Sequence, residues 1–481
     1  MSRQRQIIIL AILLLILIIV GVGGYYLVMQ ASNNGNGVAV SQPQTSSPGH
    51  PKLERLEQVT DQAFGQEDNY VPNSWGVHKN RIVRTSSGDI FTVYTSEGDG
   101  KGKRQWHLMH RSPTSSNWEE IKSGNAGSEP INILRGAHDE IHVFAWPNDN
   151  GVLDHFVSTD QGKSFKEDNI PGKWIRQDQG YAGSGTNAKG DIVIFQTGND
   201  KPGVFVWSYY NPDTQKWQFH TSTIDYRYTY AFFLPGDNND LTITAMRDVH
   251  RRELNYPSAP DGQLDYVFNA IKYFYMKDVT QQDPQLVQKV ITEVQPKNDT
   301  DHDITYIVDT YIDTFGRVHV LYVNQYDGAH HAILANGQVI KDERQDIDYA
   351  VKMRITQDSK GHFYIISTSQ DGKTLNVYPG TADDTDGTQL ESPTKLDISQ
   401  FPGCEDYDFC HLPTFTVPRN GHPLSDTIDG TYGNHGNEIY FRINLRGNGT
   451  ADVDSNSQDA LVKPEQTPLP VALRDEESSD A

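Results

Sequence analysis

Apolar and polar positions along this chain fall into one recurring pattern. Alternating apolar residues run into a polar turn, often ending in Gly, and a second strongly β-prone run follows. The segments RIVRTSSGDIFTVYT from Arg81, INILRGAHDEIHVFAW from Ile131 and YAGSGTNAKGDIVIFQT from Tyr181 share it. So do YAFFLPGDNNDLTITAM from Tyr230, YIVDTYIDTFGRVHVLYV from Tyr306 and VKMRITQDSKGHFYIIST from Val351. The turn positions Gly88, Asp139, Gly190 and Asn239 are 51, 51 and 49 residues apart, and Gly316 and Gly361 continue the series less regularly. A third apolar run (QWHLMHRS, VLDHFVST, GVFVWSYY, AIKYFYM) follows each hairpin, then often a turn and a fourth strand. Four strands in about 50 residues is the arithmetic of a propeller blade. A seventh unit is expected from Thr414 to Leu445, with a strand near Leu56 borrowed to close the ring. The pattern thus predicts an all-β propeller of seven four-stranded blades over 53–449, six being the alternative count; a β-sandwich pair or an unclosed array fits the regular spacing less well. The single helix candidate is Asp283–Val294.

The N-terminus breaks the pattern. Ile7 to Met29 is a stretch of 23 residues without a charge, enough at ~1.5 Å per residue to span a hydrocarbon core of roughly 30 Å. Arg3 and Arg5 precede it, so residues 1–6 are expected in the cytoplasm and everything after Gln30 outside, as a single-pass protein of the cell membrane. A cleaved signal peptide, the rival reading, would have a shorter apolar run and a small-residue cleavage site. Residues 30–52, rich in Asn, Gly, Ser, Pro and Gln, read as a flexible stalk. Residues 450–481, with eight acids against two bases, read as an acidic disordered tail.

Composition then narrows the partners. The 481 residues carry a formal charge of −22, which excludes a nucleic-acid binder because phosphate neutralisation needs a clustered cationic surface. The two cysteines, Cys404 and Cys410, cannot organise a zinc cluster; outside the cell they are expected to close a small disulfide ring. His138-Asp139-Glu140-Ile141-His142 mimics a zincin, but that motif needs a helix, and on a strand the two imidazoles stand roughly 13 Å apart. Asp299, Asp301 and Asp303 alternate like the start of a calcium loop, without its sixth-position Gly and twelfth-position Glu; a structural calcium there is the one cofactor to consider, and no catalytic metal or other cofactor is expected. Asn298 and Asn448 begin glycosylation sequons.

Ser158-Thr159-Asp160-Gln161-Gly162-Lys163-Ser164-Phe165 resembles the Asp-box (BNR) motif of sialidase-like propellers, and it follows a third-strand candidate, the context the motif requires. Degenerate copies run from Arg111 to Trp118 and from Tyr210 to Trp217. The resemblance implies that Ser158 and Asp160 bond the turn backbone, Gly162 supplies a positive φ and Phe165 packs between blades. The box is structural in that family and lies away from the active site.

Sialidase-like chemistry would need an arginine clamp for a sugar carboxylate, and Arg81, Arg247 and Arg354 are the candidates, with Tyr226, Tyr228 and Tyr230 offering rings for a nucleophile. No Tyr/Glu pair or acid loop is evident. A propeller-type polysaccharide lyase would instead use a His/Tyr acid–base pair and an arginine that neutralises a uronate. The densest stretch for that runs from Tyr226-Arg227-Tyr228 through Arg247, His250, Arg251 and Arg252. His107, His110, His138, His155, His330, His331 and His411 are scattered over blade elements, where some could face the central channel. The leading expectation is a membrane-anchored propeller that binds or processes a glycan; a non-catalytic scaffold for protein interaction or adhesion is the competing class.

Overall fold

The computed structural model describes residues 49–63, 75–98, 103–129, 131–148, 150–175, 181–348, 350–401, 413–434 and 436–447. The segment 7–29, most of the stalk, Cys404, Cys410 and the tail lie outside these residues. Among the described residues no helix is long and apolar enough to cross a membrane.

The strands form seven antiparallel four-stranded sheets. Blade 1 holds β2 (Ile82–Arg84), β3 (Ile90–Glu97), β4 (Arg104–Arg111) and β5 (Glu119–Ala126). Blade 2 holds β6 (Asn132–Arg135), β7 (Ile141–Ala145), β8 (Asp154–Ser158) and β9 (Lys166–Asp168). In blade 3 are β10 (Gly183–Thr186), β11 (Ile192–Gly198), β12 (Gly203–Asn211) and β13 (Lys216–Ile224). Blade 4 is built from β14 (Tyr228–Pro235), β15 (Leu241–His250), β16 (Tyr266–Met276) and β17 (Leu286–Glu293). Blade 5 comprises β18 (Thr305–Ile312), β19 (Val318–Asn324), β20 (Gly328–Ala335) and β21 (Gln338–Gln345). Blade 6 comprises β22 (Arg354–Gln357), β23 (Phe363–Thr368), β24 (Thr374–Pro379) and β25 (Thr394–Asp397). In blade 7, β26 (Thr414–Phe415), β27 (Thr427–Asn434) and β28 (Asn437–Asn444) are completed by β1 (Lys52–Thr60) from the other end of the chain. The predicted helix at Asp283–Val294 is the outer strand β17; on an exposed edge, polar residues interrupt the apolar alternation that would mark a strand.

Each blade is sandwiched between two others, so its middle strands are buried on both faces; β11 (IVIFQTG) has no exposed position. The core is accordingly a set of slabs between blades rather than one central mass. Blades 3 and 4 meet through Phe195, Phe233 and Phe274, and blades 7 and 1 through Val59, Tyr440, Ile82 and Tyr94. Where the inner strands come closest, side chains have no room: a Cβ on Gly185 of β10 would lie 1.9 Å from the Phe233 carbonyl oxygen of β14.

An up-and-down sheet puts all first–second and third–fourth strand turns on one face. Strand starts at the channel, the ends of second strands and the starts of third strands share the opposite face. The turn between β8 and β9, residues 158–165, belongs to the first of these faces. Ser158 Oγ donates to Asp160 (2.9 Å), Asp160 accepts from the Ser164 amide (2.9 Å), and Gly162 has φ +80. A Cβ on Gly162 would lie 2.7 Å from Phe91 of blade 1, and Phe165 packs into the slab between blades 1 and 2.

Most of the scattered histidines pack against a neighbouring strand of their own blade. His107 stacks on Tyr94, His110 on Phe91 and His330 on Tyr322. These sit on third strands, away from the channel. Two further pairs are buried: His142 Nδ1 lies 3.1 Å from His155 Nε2, and His319 Nδ1 lies 2.9 Å from His331 Nε2. One ring of each pair must be neutral to accept the hydrogen bond. Burial first, and the neighbouring imidazole second, pull both His142 and His331 down to about 3. An unfolded histidine takes up its proton near pH 6.5, so between pH 6.5 and about 3 the unfolded chain holds more protons than the folded one. Stability is therefore complete above pH 6.5 and falls as pH drops, by about 1.4 kcal/mol per pH unit for each such group. Thermal melts between pH 7 and 4 are expected to show a steadily falling Tm, with a shallower fall in His142→Leu. A Tm flat across that range would contradict the assignment.

Candidate active site

On the strand-start face, the connection 75–81 between β1 and β2 fills the channel mouth. Trp75 packs against Tyr181 (5.3 Å between ring centroids) and Tyr230 (5.5 Å), and His78 lies edge-on to Tyr230 (5.8 Å). Lys79 Nζ bonds Glu129 (2.5 Å), which also accepts from the Ala182 amide (2.7 Å). His78 is fully buried, and burial, then the Lys79 charge, hold it well below its usual value. The axis of the propeller is thus closed on this face by a packed plug.

The three candidate arginines do not form a clamp. Arg354 is fully buried and donates to the carbonyls of Pro413 (2.9 Å) and Val308, and burial pulls it down to about 10. Arg81 is also buried at a strand start, and burial lowers it too. Arg247 turns outward along its own blade, to Asn269 (2.8 Å) and Glu293 (2.7 Å). Tyr228 packs on Phe274 in the slab between blades 3 and 4, and Tyr230, at φ +50, is part of the plug. The guanidinium groups of Arg354 and Arg247 are committed to the protein's own acceptors.

Beside the plug, blades 3 and 4 bring together a different constellation. His250 and Tyr266 are cross-strand partners at the open ends of β15 and β16, with ring centroids 3.9 Å apart. Their strands end there because the chain leaves into a long connection beginning with the 3-10 turn Arg251–Leu254. The Arg251 amide bonds the Asp265 carbonyl (2.9 Å) and so closes the base of that connection. The buried Arg251 side chain pins it to blade 5 through the Asp301 carbonyl (2.7 Å). Asp200, from the β11–β12 turn, holds His250 Nδ1. Arg227, just ahead of β14, pairs with Asp248 (2.9 Å) and Asp200 (3.5 Å) and lies 5.0 Å from the Tyr266 ring centre.

The electrostatics give these groups distinct states. The Asp200 hydrogen bond outweighs desolvation and raises His250. Burial, partly opposed by Arg227, pushes Tyr266 up to about 12, so its hydroxyl keeps its proton. Burial opposes the charge on Arg227, but Asp248, Tyr181 and Asp200 more than restore it. Asp200 is bonded to Nδ1 of His250, and Nε2 is the other ring nitrogen. A histidine base beside a proton-holding tyrosine can take a proton from one atom and return one to another. Arg252 stands exposed in the adjoining turn, its guanidinium 3.4 Å from Glu253.

Of the sequence candidates only His250 belongs to this group, together with Arg227 and Arg252 of the stretch 226–252. Asp200, Asp248 and Tyr266 were not singled out. Asp200 lies 50 residues before His250, one blade away; comparing equivalent second–third strand turns of successive blades would have found it. Asp301 accepts from the amides of Lys297 (2.8 Å) and Asn298 (3.0 Å), as a structural turn residue does. Among the described residues no cluster of three or more His, Cys, Asp or Glu is disposed to hold a metal ion.

No protein-family model matches the sequence, and no curated protein matches it. The backbone is similar to that of polysaccharide lyase Uly1, with a TM-score of 0.53 at 13% identity over 82% of this chain and 100% of that one. Also similar are an ulvan lyase of family PL25 bound to a -[GlcA(1-4)Rha3S]- saccharide and the α-L-arabinofuranosidase Arb93A of Fusarium graminearum. The former has a TM-score of 0.49 at 10% identity, covering 80% of this chain and 95% of its own. The latter has a TM-score of 0.41 at 12% identity, covering 81% and 97%. At these identities the likeness is one of fold.

Proposed function

We propose that the protein is a glycan-processing propeller that cleaves a uronate-bearing polysaccharide by β-elimination at the His250–Tyr266 pair. The observation that carries this reading is the close His250–Tyr266 ring pair itself, with Asp200 orienting the imidazole. In such a step the neutral His250 imidazole removes the proton on the carbon next to the uronate carboxylate. The bond from the adjoining carbon to the glycosidic oxygen breaks, a C=C bond forms, and the Tyr266 hydroxyl gives its proton to the departing oxygen. Arg252, exposed and 3.4 Å from Glu253, would exchange that partner for the substrate carboxylate, whereas Arg227 is buried and held by Asp248 and Asp200. The use of a propeller by polysaccharide lyase Uly1 supports the reading. The uncharged run 7–29 and the stalk support an anchored domain held outside the cell membrane, where such polymers are met. A sialidase-like activity is disfavoured because Arg354 and Arg247 are bonded to the protein's own acceptors.

The test is a screen of the full chain against uronate polysaccharides, following the ultraviolet absorbance of the new conjugated double bond. Absorbance that grows with enzyme concentration is the expected result. No signal with any uronan, alongside specific binding of a protein partner, would replace the lyase with the scaffold.

A further inference from the structure

On the face opposite His250, a cavity of about 1250 Å³ opens, ringed by the first-hairpin turns of blades 2, 3, 4, 5 and 7. It exceeds the roughly 300–1,000 Å³ of an ordinary small-molecule pocket. One flank lies along blade 4, where Tyr273 and Tyr275 of β16 present rings within 8° of parallel, their centroids 6.3 Å apart. Asp240 adds a carboxylate, bonded to the Asn238 amide at 3.2 Å, and its charge helps raise both tyrosines after burial.

The charges of the wall decide what can enter. Each cation in it already has a protein acceptor. Arg135 holds Asp139 and the Gly421 carbonyl, Arg419 holds Asp309, and Lys289 holds Gln338. Gln338 is neutral, so Lys289 keeps its charge, but a polyanion would meet that one cation against the carboxylates of Asp237 and Asp240. Neutral polyols gain instead: the positively polarised C–H face of a pyranose lies on the negative face of a tyrosine ring, and carboxylate and amide groups take the hydroxyls.

We propose that this cavity is a second site that binds a neutral oligosaccharide, separate from the His250 face and independent of the lyase reading. The experiment is calorimetric titration of the full chain with neutral hexasaccharides (cello-, xylo-, manno- and malto-series) and with an oligouronate of equal length. At least one neutral hexasaccharide is expected to bind. Tyr275→Ala and Asn238→Arg, an exposed turn substitution, should each weaken it tenfold or more with unchanged melting temperature, whereas His250→Ala should leave it unaltered. If Tyr275→Ala lowers the melting temperature, Asn238→Arg alone decides. The proposal is overturned if no neutral hexasaccharide binds, if the oligouronate binds as tightly and in competition, or if Asn238→Arg binds as the parent does.

Discussion

Deleting Lys52–Thr60 within the full chain is expected to abolish the cooperative thermal transition. This strand is the outer edge of blade 7, paired with β28 from Lys52↔Asn444 to Thr60↔Glu438. Among the described residues it is the one element of that sheet from the N-terminal part of the chain, so it joins the two ends of the ring. Leu53 and Leu56 pack on the blade 7 core, and Val59 is buried against Tyr440, Ile82 and Tyr94 of the slab shared with blade 1. Glu57 accepts from Arg111 Nη2 of blade 1 (3.2 Å), and Gln400 of blade 6 bonds the Leu56 carbonyl (3.0 Å). Losing three such side chains at ~1.5–3 kcal/mol each, with a ladder of hydrogen bonds at ~0.5–1.5 kcal/mol each, rivals the whole ~5–15 kcal/mol stability of a folded protein. Calorimetry of the deletion should show a broad or absent transition, and a synthetic 52–60 peptide should restore it. A deletion variant that melts sharply within a few degrees of the parent would show that the ring does not depend on this closure.

The ring was legible because its inner hairpins carry both signals at once. Gly88, Gly190, Gly316 and Gly361 all adopt the positive φ that the turns require, and the flanking residues are apolar because both faces of each middle strand are covered. The outer strands were harder. β5 (EEIKSGNA) and β17 (LVQKVITE) line the rim, where one face meets water, so their sequences lose the alternation. Candidate residues failed for a similar reason. An arginine at a strand start can face a ligand or turn back to a carbonyl, and the sequence is identical in the two cases; Arg354 took the second course. His250 was legible through the density of cations and rings around it. Its partners were not, because Asp200 comes from another blade and Tyr266 from across a 15-residue connection, 251–265. The acidity of the chain acquires a local meaning as well. Asp200 and Asp248 are spent on His250 and Arg227, and Asp309 on Arg419, so part of the negative charge is internal counter-charge rather than a field facing partners.

His250→Ala is expected to lower kcat on a uronate polysaccharide by about 10²–10⁴-fold, the usual contribution of one positioned acid or base. Tyr266→Phe should cost a similar factor while keeping the ring contact with His250, so a loss there reports the hydroxyl rather than packing. The pH profile separates the roles. A histidine base works only when neutral, so with the Asp200 hydrogen bond raising His250, kcat/KM should climb with pH through a value above the usual 6.5 of histidine. Asp200→Asn removes the raising charge and should move that acidic limb to lower pH, with a reduced plateau because the imidazole is no longer held by Nδ1. On the alkaline side the hydroxyl of Tyr266, held up at about 12, stays protonated, so no fall in rate from its ionisation is expected below pH 10. If Asp200→Asn leaves the acidic limb where it was, or Tyr266→Phe retains full activity, the two rings are a structural pair and the chemistry lies elsewhere on the propeller.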